Sequence, residues 1–174
     1  MKLFVFALCA VAFADSAAAE VLDSGPGGFA VRQTLAVTAP AARVWSTLIT
    51  PAAWWDPAHS YSLESKNFSL DPRPGGLWLE RLPDGGVVHM TVVYIQPPRT
   101  LRLEGALGPL QSYGVAGHLS FTLTEKDGVT TLVETYDVGG HTPGGLDKLA
   151  APVDGVLAQQ MQRLKRTAEA GNPN

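Results

Sequence analysis

The sequence predicts an α+β fold in which a curved antiparallel sheet wraps around a long C-terminal helix. Three observations carry this reading. A strand leads into a short helix with a tryptophan on its apolar face, a succession of hairpins follows, and the last apolar stripe has helical spacing and the length to lie across them. A sheet curled around such a helix encloses a cavity, so this order of parts predicts a ligand pocket without naming the ligand.

Glu20 to Gly28 is a polar, glycine-rich lead-in. Phe29, Val31, Thr34, Leu35 and Val37 then form a β-branched, partly alternating stretch that ends at Pro40, the first strand. Pro40 stands where a helix can begin, and Ala41, Val44, Trp45 and Leu48 recur at spacings of three and four, one buried helical face. That helix stops by Pro51. Trp54-Trp55-Asp56-Pro57 allows only a short helical turn or loop before a strand around Asn67 to Leu70, and Pro72, Pro74, Gly75 and Gly76 break the chain again.

From Leu77 onward strands and turns alternate. Leu77 to Leu82, Val87 to Ile95 and Thr100 to Leu107 are separated by Pro83-Asp84-Gly85-Gly86 and by Pro97-Pro98. A loop from Gly108 to Gly117 precedes His118 to Glu125, and the turn Lys126-Asp127-Gly128 leads into Val129 to Val138. Leu149, Val153, Val156, Leu157, Gln160, Met161 and Leu164 mark one face of the final helix. Pro152 is tolerable only in its first turn, and Arg163, Lys165 and Arg166 favour its C-terminus. Residues 29–170 therefore read as one domain.

Lys2, the apolar run from Leu3 to Ala14, and Ala17-Ala18-Ala19 before Glu20 have the pattern of a cleavable signal peptide over residues 1–19, with the cut expected after Ala19. The run is too short to span a bilayer, and no other segment is long enough. Leu8 is too bulky to precede a lipidated Cys9. Cleavage would leave 155 of the 174 residues, with 12 basic and 15 acidic side chains, a net charge of −3 and no cysteine. Disulfides and thiol catalysis are then excluded, and a periplasmic or secreted domain is expected. No block of like charges occurs, which argues against a nucleic-acid partner and against a polybasic membrane patch.

Ala39-Pro40 before a helix with Val44-Trp45, Pro74-Gly75-Gly76 with Trp78 at the head of a strand, and Ile95-Gln96-Pro97-Pro98-Arg99 with Leu101 together resemble a known family. The chain is similar to the START and Bet v 1-like (SRPBCC) superfamily, in the branch of Hsp90 ATPase activator homologues and polyketide cyclases. The likeness runs from Phe29 to about Ala168 and implies a helix-grip fold with an apolar cavity between sheet and helix. Where that branch often opens the last helix with Gly-Trp, this chain has Gly145-Leu146 at the cavity rim. The Hsp90 label describes ancestry only, because an exported protein does not meet a cytosolic ATP-driven chaperone.

Strand period two sorts the side chains by face. Asp84-Gly85 as a two-residue turn sets Glu80 opposite His89 and Trp78 opposite Thr91, with Val93 and Ile95 continuing inward. Asp127-Gly128 sets Leu123 opposite Leu132, Phe121 opposite Glu134, and Leu119 opposite Tyr136. Glu80, His89 and Glu134 thus point inward among apolar neighbours, where an unpaired carboxylate costs several kcal/mol. They either satisfy one another structurally, orient a ligand's polar head, or share acid and base duties in catalysis. The expected ligand-binding set is Trp78, Glu80, His89, Thr91, Phe121, Glu134 and Tyr136, joined by Trp55. Trp54, Trp55, His59 and Tyr61 form an aromatic cluster that either covers the cavity mouth or plugs the open end of the sheet. His118 and His141 read as solvated.

The four histidines show no His-x-His or His-Glu-x-x-His pattern, so no metal site is expected. Gly25-Pro26-Gly27-Gly28 lacks the Lys-Ser/Thr of a phosphate loop, and no Gly-x-Ser-x-Gly occurs. The expectation is a cofactor-free domain that binds a small amphipathic or aromatic molecule. The alternative is a cofactor-independent cyclase, dehydratase or isomerase acting on a polyketide-like or steroid-like substrate through His89 with Glu80 or Glu134.

Overall fold

A computed structural model describes residues 18–170. Eight antiparallel strands form one sheet in the order β1-β2-β8-β7-β6-β5-β4-β3, and helices α1 and α2 pack on its inner face. The helix-grip architecture read from the sequence is the one observed.

The lead-in is not loose chain. Ala18–Gly25 is strand β1, paired with β2 (Gly28–Val37), so that Glu20 stands opposite Arg32 and Val21 opposite Val31. Val21 and Leu22 are both exposed, and a bulge separates Val21 from Asp23. An edge strand without a buried face carries no alternation, which is why it read as a lead-in. The expected cut after Ala19 falls at the second residue of β1, and the rest of the expected signal peptide lies outside the described residues.

In β2, Phe29, Val31, Gln33, Leu35 and Val37 face inward. Helix α1 (Ala41–Leu48) buries Ala41, Val44, Trp45 and Leu48, the four positions of its predicted stripe. Each large apolar side chain removed from water contributes about 1.5–3 kcal/mol. The Glu125 carboxylate accepts from the Ala41 N–H at 2.8 Å, filling an open donor at the positive end of the helix.

After the short strand β3 (Phe68–Leu70) come β4 (Leu77–Leu82), β5 (Gly85–Gln96) and β6 (Thr100–Gly105). The β4–β5 turn sits on Pro83-Asp84, with Leu82 opposite Gly85, rather than on Asp84-Gly85. Glu80 therefore stands opposite Val87 and Trp78 opposite Met90, correcting the expected pairs with His89 and Thr91. A bulge sends both His89 and Met90 inward, and an irregularity after Val92 leaves Val93 and Tyr94 both outward. Each extra residue reverses the facing parity beyond it, which a period-two count cannot register. Gly105 makes room for the first bulge, since a Cβ there would stand 2.6 Å from the His89 carbonyl oxygen.

Strands β7 (Gly114–Lys126) and β8 (Val129–His141) run further than their glycines suggested. Gly117 is a close-packing position, where a Cβ would lie 2.9 Å from the Tyr136 ring. Asp127 and Gly128, at φ 52° and 78°, form the predicted two-residue turn. Phe121 pairs with Glu134, Leu123 with Leu132, and Leu119 with Tyr136, as anticipated. Helix α2 (Asp147–Ala170) begins a little before its apolar stripe, so Pro152 is its sixth residue and falls in the second turn, not the first. The carbonyl of exposed Lys148 loses its helical donor there.

Candidate functional site

The first half of α2 does not rest flush on the sheet. Between them lies a cavity of about 390 Å³, within the range of about 300–1,000 Å³ typical of small-molecule sites. Leu149, Pro152, Val153, Val156 and Leu157 of α2 form one wall. Leu107, Leu110 and Tyr113 close it from the segment after β6, while Trp55, His59 and Tyr61 close it from the segment after α1. The sheet contributes His89 and Tyr136. The Tyr61 hydroxyl donates to the Gly108 carbonyl at 2.9 Å, joining the two closing segments.

Of the side chains expected at a ligand, Trp55, His89 and Tyr136 line this cavity. Trp78 and Phe121 instead border a void of about 10 Å³ together with Trp54, because the adjacent tryptophans fill the interior there. Trp55 packs edge-on against Trp54 and Trp78, with ring centroids 5.5 and 5.1 Å apart. Both tryptophans are buried, so they serve as filling, and Trp55 also presents a wall. Thr91 lies on the outer face, opposite Leu77 and exposed Glu104, as a consequence of the β5 bulge.

Glu80 stands behind His89. Its Oε2 is 2.9 Å from His89 Nε2, and its Oε1 accepts from the Ser62 N–H at 2.5 Å; the two residues are 1% and 4% exposed. Burial pushes the Glu80 carboxyl up, but hydrogen bonds from Ser62, His89 and the Tyr61 backbone together outweigh it and hold the group below its ordinary value. Burial lowers the His89 imidazole, and the neighbouring carboxylate only partly opposes this. The pair is therefore a carboxylate and a neutral ring. Because the carboxylate can only accept, Nε2 carries the ring proton and donates it, and Nδ1 is left as a lone pair. That Nδ1 is buried and has no hydrogen-bond partner among the described residues. Leu63, next to the donating Ser62, adopts φ 55°, a left-handed conformation costing about 1 kcal/mol for a side chain of this kind.

Glu134 is equally hidden, at 2% exposure, but lies apart from the cavity wall. It stands opposite Gln33, whose amide donates to Asp154 Oδ1 at 2.5 Å. Its own Oε2 lacks a partner among the described residues, and burial, reinforced by the Asp154 charge, pushes the carboxyl well above its usual range. Burial also raises Asp154, partly offset by the Gln33 hydrogen bond. Tyr136 shows only its ring to the cavity. Its hydroxyl accepts from the Leu107 N–H at 3.0 Å and donates to the Gly105 carbonyl at 3.2 Å, and burial pushes it to about 12.

His59 is a cavity residue that the sequence placed only in an aromatic cluster. Gln160 Oε1 accepts from the Asp56 N–H at 2.8 Å, which orients the amide so that its nitrogen donates to His59 Nδ1 at 2.9 Å. The proton of that ring is thereby placed on Nε2. The available signal was Gln160 itself, a polar residue on a buried helical stripe. His118 and His141 are exposed.

The family described as "Polyketide cyclase / dehydrase and lipid transport" matches residues 28–169. Among solved structures, CalU16 from Micromonospora echinospora is similar with a TM-score of 0.60 at 16% identity, covering 93% of this chain and 88% of that one. The Aha1 dimer from Colwellia psychrerythraea gives 0.59 at 18% identity, covering 82% and 97%. DynU16, a protein of the dynemicin biosynthetic locus, gives 0.57 at 24% identity, covering 83% of this chain and 48% of that one. At these identities the likeness shows the fold. No curated protein matches.

Proposed function

We propose that this chain, which belongs to the polyketide cyclase / dehydrase and lipid transport family, binds a small amphipathic molecule in the cavity between the sheet and α2. The observation that supports this reading is a largely apolar chamber of about 390 Å³ whose wall also carries a few polar side chains, among them His59, Ser60, Tyr61 and His89. An apolar body gains by leaving water, and a single polar group fixes its orientation. Native mass spectrometry of protein purified from its own host tests it: a bound small molecule released by organic solvent is expected. Protein that is consistently empty, and that takes up no apolar probe, would overturn it.

We further propose that the chain is exported, with the mature chain beginning at Glu20. N-terminal sequencing of the protein recovered outside the cytoplasm should read Glu20-Val21-Leu22, and retention of Met1 to Ala19 would count against it.

A second reading, cofactor-independent cyclase, dehydratase or isomerase chemistry, is favoured by the Glu80-backed imidazole, an arrangement suited to a general base. Titration of His89 by NMR tests the Glu80–His89 coupling on which this second reading rests: a value that responds to Glu80→Gln is expected, and a free-solution value removes the second reading.

A further inference from the structure

Resting on the binding reading above, we infer that Tyr61 is the bar of a gate across the cavity mouth, pinned at its backbone by Glu80 and latched at its tip to Gly108, and that a ligand enters and leaves when this bar swings outward. Tyr61 lines the cavity and is also 50% exposed, so its ring stands where the chamber meets solvent. Tyr113, a wall residue of the opposite closing segment, is 40% exposed and marks the facing rim.

The two ends of the bar are held differently. At its root, the N–H groups of Tyr61 and Ser62 both donate to the buried Glu80 carboxylate, and bonds to an ionised acceptor are about twice as strong as neutral ones. At its tip, the hydroxyl donates to the Gly108 carbonyl at 2.9 Å in an exposed position. Among the described residues no other hydrogen bond joins the segment after α1 to the segment after β6.

Each segment is otherwise tied elsewhere. In the first, Trp55 Nε1 donates to the His59 carbonyl and the Ser60 hydroxyl to the Pro57 carbonyl. In the second, the Gln111 amide donates to the Val88 carbonyl of β5, and the Leu107 N–H to the Tyr136 hydroxyl. Breaking the single tip bond therefore frees the Tyr61 ring to turn about its side-chain torsions, while the backbone on both sides of the mouth stays anchored.

The probe is N-phenyl-1-naphthylamine, an uncharged fluorophore. Its arrival and departure are followed by stopped-flow fluorescence, and its place in the cavity by NMR shifts of the Val153, Val156 and Leu157 methyl groups. Tyr61→Phe keeps the ring and removes the tip bond. It should raise the association and dissociation rates together, each by about three- to tenfold, and leave the dissociation constant within about twofold of wild type. Amide hydrogen exchange reads the pinned end: in both proteins the Tyr61 and Ser62 N–H groups should exchange more slowly than that of exposed Leu63. Unchanged rates in Tyr61→Phe would make the tip bond a passive strut, and faster departure without faster arrival would make the hydroxyl a ligand contact. Either result, or exchange at Ser62 as fast as at Leu63, would overturn the inference and leave the binding reading intact. If the probe shifts none of the three methyl groups, both fall together.

Discussion

Glu80 and Glu134 are both glutamates on the inner face of one sheet, 1% and 2% exposed, yet their surroundings drive them in opposite directions. Glu80 collects the Ser62 N–H and the His89 ring proton and is held below the ordinary carboxyl value. Glu134 has an Oε2 with no partner among the described residues and feels the Asp154 charge, and it is pushed well above that value. Burial raises both; the supply of donors decides which is brought back down. The difference also divides their work. The satisfied carboxylate fixes the tautomer of a cavity histidine, whereas the unsatisfied one lies off the cavity wall, where it is a cost to stability.

The largest effect that would break this contrast is Glu80→Ala. Removing one partner of a buried, hydrogen-bonded pair should cost about 3 kcal/mol, read as a fall in the urea midpoint. A loss below about 1 kcal/mol would mean that the pair behaves like an exposed one. Glu134→Gln should do the reverse and raise stability by about 1 kcal/mol at pH 7, because it removes a carboxyl whose ionised form the fold disfavours. The gain should vanish at pH 4, where the unfolded chain is also largely protonated. A destabilised Glu134→Gln at neutral pH would show that the carboxyl is in fact well served.

The pH profile sharpens the same comparison. Glu134 has a raised folded value, so its contribution is fully present below the unfolded 4.5 and is lost as pH rises through the folded value. His89 has a lowered folded value, so its contribution is present above the unfolded 6.5 and is lost as pH falls through the folded value. Urea midpoints measured from pH 4 to 8 should therefore lose their alkaline-side decline in Glu134→Gln and keep their acid-side decline. The smallest effect belongs to Asp154→Asn, which should bring Glu134 part of the way back toward the ordinary range. Stability should change by roughly a few tenths of a kcal/mol, and His89 should titrate unchanged. A moved His89 titration would mean that the two regions are coupled through α2.

Much of the site was legible in the residues. The β7–β8 register followed from the Asp127-Gly128 turn, because a two-residue turn that needs left-handed backbone admits few alternatives. The inward aim of Glu80, His89 and Glu134 was also legible, although the pairing assumed for Glu80 and His89 was displaced by the turn on Pro83-Asp84 and by the β5 bulge. Thr91 and Val93 were lost to the outer face for the same reason, since an inserted residue leaves no mark on hydrophobic alternation. Trp78 and Phe121 faced inward as expected but border only a small void shared with Trp54, and Trp55 packs edge-on against Trp78. Which buried side chains touch a hollow depends on how whole elements pack.

Local chemistry thus determined the helix-grip order, the apolar stripes of α1 and α2, and the presence of ionisable groups on an inner face, because periodicity and turn residues act over a few positions. Tertiary structure alone decided where the cavity opens and in which direction each glutamate's carboxyl is shifted. It brought Ser62 to Glu80 across 18 residues and Gln160 to His59 across 101, and hydrogen bonds between such distant segments exist only after the sheet has closed on its helix.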